Sequence, residues 1–142
     1  MLKKSISLKL ALCLSLGFIG NEVMAQDVIM TIADTDYKVT VDENTQAGKL
    51  FLNSLPLTLS FENFESNERV AYLSKRLDMD GYDSHLSVKR GDMTYYVPWG
   101  NLAVFRKAYS SPSDLAPIGS MPENAISALE QSGDSEVSFK IK

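Results

Sequence analysis

Five aromatic residues crowd two stretches of the chain: Tyr72 in one, and Tyr95, Tyr96, Trp99 and Phe105 in the other. Rings carry large apolar area, and Tyr and Trp add a polar tip, the combination that lines ligand grooves. Strand alternation puts Tyr95 with Met93 and Val97 on one face and Tyr96 with Thr94 on the other, so the two tyrosines cannot serve one purpose. One tyrosine and Phe105 are expected in the core. Trp99, placed in a Pro98-Trp99-Gly100 turn, is harder to assign to packing. Asn101 follows that turn and offers its amide either to a ligand or to the turn backbone. Tyr72, Tyr96, Trp99 and Asn101 are therefore the candidate ligand-binding residues. Arg76 is the candidate catalytic residue, because a planar, permanently charged fork can bond a carbonyl or amide of a bound molecule. Its competing reading is a solvated arginine beside Lys75.

Other chemistry lacks a signature. Asp78, Asp80, Gly81 and Asp83 suggest a calcium loop, but a count from Asp78 puts Asp83 at the sixth position and Lys89 at the twelfth, where glycine and an acidic residue are needed. His85 is the sole histidine, which excludes multi-histidine zinc sites, and no Gly-x-Ser-x-Gly elbow supports a serine triad. No phosphate-binding loop or dinucleotide fingerprint occurs, so neither cofactor nor metal is expected.

The elements that must position these residues are mostly strands. Residues 28–33 and 37–41 alternate and read as a hairpin about Asp34-Thr35-Asp36. Residues 42–45 can cap a helix carrying Ala47, Leu50, Phe51 and Leu55, which Pro56 ends. Leu57, Leu59 and Phe61 alternate as a half-buried strand, and another starts near Val70. Residues 75–90 read as a long loop. Residues 93–97 and 101–105 pair across the Pro98-Trp99-Gly100 turn. Residues 115–119 form a strand that tolerates Pro117 at an edge. Ser120 and Glu123 make a capping box for a helix bearing Ala125, Ile126 and Leu129, and Val137, Phe139 and Ile141 alternate in a last strand. About eight strands and two short helices without βαβ rhythm fit a closed antiparallel barrel capped by helices. A half-open sheet with helices on one face is the rival.

The first 25 of the 142 residues read as a signal peptide: Lys3, Lys4 and Lys9, an apolar run over 8–19, and Val23-Met24-Ala25 before Gln26. The run falls short of the roughly 20 residues that span a bilayer. Residues 26–142 then form one domain, exported to the periplasm or secreted, with no membrane association once the leader is gone. The only cysteine, Cys13, leaves with the leader, so the domain has no thiol nucleophile or thiolate ligand. It keeps 11 basic against 17 acidic residues, a net charge of about −6, which argues against nucleic acid as a partner.

Several segments resemble the bacterial cyclophilin-like fold family of small β-barrels: Leu55-Pro56-Leu57-Thr58-Leu59, Val70-Ala71-Tyr72-Leu73, Gly91-Asp92, and above all the run Tyr95-Tyr96-Val97-Pro98-Trp99-Gly100-Asn101-Leu102-Ala103-Val104-Phe105. The resemblance covers nearly all of residues 26–142 and implies a mainly β fold, a closed eight-stranded antiparallel barrel capped by two short helices. Cyclophilins lower a barrier of roughly 18–20 kcal/mol by directing an arginine at the prolyl amide. Their Phe-His-Arg strand has its closest match in order in Tyr72-Leu73-Ser74-Lys75-Arg76, with altered spacing. The leading expectation is an exported barrel that binds a peptide or small ligand in an aromatic-lined groove. The alternatives are a weak peptidyl-prolyl isomerase using Arg76 and a protein-interaction module of the cell envelope.

Overall fold

The computed structural model describes residues 24–110 and 113–142. Residues 1–23 of the expected leader, including Cys13, lie outside the described residues. Strands β1 (Ala25–Ile32) and β2 (Thr35–Asp42) pair antiparallel through their full length. Their turn is Ala33-Asp34, both at positive φ (48° and 66°), the two-residue geometry that suits strand twist. It falls earlier than the expected Asp34-Thr35-Asp36, because Thr35 and Asp36 enter β2 and the Thr31 hydroxyl donates to Asp36 Oδ1 at 2.7 Å. Val28, Met30, Ile32, Val39 and Val41 alternate onto the buried face. Helix α1 (Gln46–Ser54) is capped by Thr45, whose hydroxyl accepts from Gly48 N at 3.0 Å, and stops before Pro56 as expected.

Strands β3 (Leu57–Ser60) and β4 (Glu62–Phe64) are two halves of one run, interrupted at the buried Phe61. Strand β5 (Glu68–Tyr72) follows, then irregular chain to the two-residue β6 (Ser87–Val88). Next come β7 (Asp92–Tyr96), β8 (Asn101–Phe105), the short β9 (Tyr109–Ser110) that pairs with β6, and β10 (Leu115–Ser120). Helix α2 (Glu123–Gln131) and strand β11 (Glu136–Ile141) complete the described chain.

The main sheet runs β3-β11-β1-β2-β10-β7-β8-β5-β4 with every neighbouring pair antiparallel. Because β3 and β4 belong to one bent run that pairs with both ends of the sheet, nine hydrogen-bonded strands occupy eight positions in a nearly closed barrel. The half-open sheet is therefore set aside.

Two local expectations are corrected. Strand β10 lies inside the sheet rather than at an edge. It tolerates Pro117 because its register shifts between Pro117 and Gly119 and it meets β2 only at Gly119 and Ser120. Ser120 does not cap α2, whose N-cap is Pro122 with no side-chain cap bond; Glu123 turns instead to Arg90.

Packing divides into two clusters. The barrel interior holds Met30, Phe51, Tyr95, Leu102, Ile118 and Phe139, together with Ala125, Ile126 and Leu129 from α2. A smaller cluster of Val70, Val88, Ala103, Phe105 and Leu115 lies on the other face of β5, β8 and β10. That outer cluster forms the floor of the site.

Candidate functional site

Antiparallel register places Tyr96, Asn101 and Tyr72 opposite one another across β7, β8 and β5, on the outer face. The turn at residues 97–100 closes by a bond from Gly100 N to Tyr96 O at 3.0 Å. Gly100 adopts φ +67°, a conformation that favours glycine, and a Cβ there would stand 3.0 Å from Arg76 Cγ and Nη1 and press on that side chain. Arg76 Nη2 donates to Val97 O at 2.8 Å and to Pro98 O at 3.0 Å. Arg76 thus holds the turn that carries Trp99.

The turn directs Trp99 against two other rings, edge-on to Tyr96 at 5.5 Å between centroids and to Phe64 of β4 at 5.8 Å. Tyr109 stacks on Phe105 at 5.8 Å. These rings enclose a cavity of about 300 Å³ above Val70, Phe105 and Leu115, with Glu68 and Asn101 in its wall. That volume is at the small end of ligand pockets and matches a side chain or small molecule. Although they belong to an aromatic cluster, Trp99, Tyr109 and Phe64 are 48%, 42% and 38% exposed.

Two polar groups in the wall lack partners among the described residues. Asn101 is 2% exposed and its Oδ1 is buried with no hydrogen bond. Such groups are rare in folded proteins, because an unsatisfied buried acceptor costs about 1–3 kcal/mol. The Glu68 carboxylate makes no hydrogen bond or ion pair with a described residue. Burial pushes its carboxyl above the usual value, and the charge of Glu65 adds to the rise.

The structure therefore brings Tyr96, Trp99 and Asn101 together and leaves two predicted site residues outside the cavity. Tyr72 shares the outer row but is 51% exposed and does not line the pocket. Arg76 borders a separate hollow with Leu50, Asn53 and Asp78. Tyr95 takes the core role expected of one tyrosine: it is buried, and its hydroxyl accepts from Leu77 N at 3.1 Å. Phe64, Glu68 and Tyr109 are site residues that sequence reasoning missed. Glu68 had a signal, since it alternates with Val70 and Tyr72, but the strand reading began two residues later. Among the described residues, no group of three His, Cys, Asp or Glu side chains is placed to hold a metal ion.

The comparisons agree with this architecture. No curated protein matches the sequence. The solution structure of the hypothetical protein AF2241 from Archaeoglobus fulgidus is similar in fold, with a TM-score of 0.64 at 13% identity, over 87% of this chain and 99% of that one. The model of the Cyclophilin-like family matches residues 30–140, which include the whole of the outer pocket. The chain therefore belongs to the cyclophilin-like family.

Proposed function

We propose that the domain binds a peptide or small ligand in the pocket on the outer wall of its barrel. One observation carries this reading: exposed rings from β4, the 97–100 turn and β9 converge on a single cavity whose wall includes a half-buried carboxylate, Glu68, without a partner among the described residues. Apolar surface gathered in a concavity gains free energy when a ligand covers it. Arg76 serves this site as a positioning residue through its bonds to Val97 and Pro98. The domain does this work after export, in the periplasm or outside the cell, a reading that rests on the basic and apolar leader.

Trp99 is the only tryptophan in the chain, so its emission reports on the pocket directly. Titration of the purified protein with a library of short peptides should give a saturable Trp99 shift, weakened severalfold in the Arg76→Ala variant as the turn loosens. A library that leaves the emission unchanged would contradict ligand binding. The same samples decide the isomerase alternative: accelerated cis/trans exchange of a proline peptide, lost in Arg76→Ala while peptide affinity is kept, would replace the binding-only reading.

A further inference from the structure

The charge of the pocket has one sign. Glu68 is the one charged residue of its wall, half-buried and with its carboxylate unpartnered among the described residues, while Asn101 and Ser113 add neutral polar groups. The cations that might answer Glu68 are engaged elsewhere. Arg69 donates to Leu129 O, Asn63 Oδ1, Ser132 Oγ and Gly133 O; Arg106 binds Glu130 at 2.9 Å; Lys107 Nζ donates to Ser66 Oγ at 3.1 Å. Phe64, Tyr96, Trp99 and Tyr109 supply the aromatic remainder of the wall. Rings carry negative potential over their faces and attract an ammonium group, more strongly where water is excluded. The hollow beside Arg76 lacks this asymmetry, since Lys75 and Arg76 stand there with Asp78.

We propose that the outer pocket receives an ammonium group, carried by a lysine-type side chain or a free alkylamine, with Glu68 as its counter-charge and the four rings as its cage. This rests on the reading that the pocket binds a ligand, and it names the chemistry of that ligand. A carboxylate taken partly out of water is unfavourable alone and favourable once a cation joins it. An anion would meet Glu68 and Glu65 in a domain already carrying about six excess negative charges. A neutral chain of the same length would gain only the contact with the rings.

The test is calorimetric titration of the purified protein with four probes: an acetyl-lysine-methylamide with free ε-ammonium, its norleucine counterpart, n-butylammonium and butanoate. The lysine probe is expected to bind at least tenfold more tightly than the norleucine probe. That ratio should collapse toward one in Glu68→Gln and persist in Glu65→Gln, whose position is outside the pocket wall. Butylammonium separates the two sources: binding comparable to the lysine probe indicates a free amine, and binding far weaker indicates a side chain on a peptide. Equal binding of the lysine and norleucine probes would overturn the ammonium assignment while leaving the ligand pocket intact, as would tightest binding of butanoate. If no probe binds at any concentration tested, the pocket reading itself fails. Circular dichroism of Glu68→Gln checks that its fold is kept, and Glu68→Asp, which retains the charge on a shorter arm, should keep part of the preference.

Discussion

Glu68 and Arg69 are consecutive residues on β5, yet the wall of the barrel separates their side chains and treats them in opposite ways. Arg69 faces the core side and is 2% exposed. Burial lowers the pKa of its guanidinium, with the charge of Arg106 adding to the effect, and four acceptors compensate it. Three of those acceptors lie at the C-terminal end of α2 and just beyond it, where carbonyls without helical partners favour a cation. The same helix is held on its other side by Arg90, which bonds both oxygens of Glu123 and of Glu130, and by Arg106. Glu68, on the outer face, has no such partner among the described residues. Charge that holds the fold is matched within the chain, whereas the Glu68 carboxylate, without a partner among the described residues, stands in a concave aromatic wall, where the proposed ligand would match it.

The largest effect is expected where a compensated charge is removed. Arg69→Met leaves Asn63 Oδ1 and the Gly133 carbonyl without the guanidinium that donates to them, and should lower stability by about 2–3 kcal/mol in urea denaturation. A loss below about 1 kcal/mol would break the contrast with Glu68. A smaller effect follows from the α2 network. The hydrogen bonds of Arg90, with those of Ser127 to Glu123 and of Arg106 to Glu130, hold both carboxyls near a pKa of about 2, well below their ordinary 4.5. A carboxyl lowered in the fold contributes stability above its unfolded value and loses it as pH falls toward its folded one. Stability should therefore decline from about pH 5 to pH 2. Glu130→Gln should remove about 1 kcal/mol at neutral pH, a figure kept small by solvent screening of a partly exposed pair, and should flatten that decline.

The smallest effect is expected at Glu68, with the opposite sign. Its carboxyl is raised in the fold, so its ionisation weakens the folded state as pH rises through the ordinary carboxylate range. Glu68→Gln should leave neutral-pH stability unchanged or raise it by less than about 1 kcal/mol. A clear loss in the denaturation curve would mean that Glu68 is a structural group after all.

Period-two alternation made most of the barrel legible, because Val28, Met30, Val39, Val41, Val137 and Phe139 each take the buried face that their spacing predicts. Pro56 and Thr45 bounded α1 by local chemistry that needs no tertiary knowledge. What escaped depends on partners distant in sequence. The shift beside Pro117 is a property of two strands, so one strand's sequence could not distinguish it from an edge. Glu123 left its capping role for Arg90, 33 residues away. Ile141 continues the alternation of β11 but is exposed near the end of the sheet. In the site, Trp99 and Asn101 were legible because a turn and the strand leaving it carry them together. Phe64 and Tyr109 arrive through the bend between β3 and β4 and through a two-residue pairing, neither of which has a sequence period. Arg76 draws notice for its chemistry, and the turn uses its Nη2 on two backbone carbonyls, a contact between segments about twenty residues apart that no local pattern announces.

The most direct test of the central claim is to locate a bound ligand by NMR, titrating isotope-labelled protein with a short lysine-containing peptide. The account predicts that the largest shifts fall on the Trp99 indole N–H, the Asn101 side-chain amide and the Glu68 backbone amide. Shifts concentrated instead on Leu50, Asn53 and Arg76, around the second hollow, would contradict it.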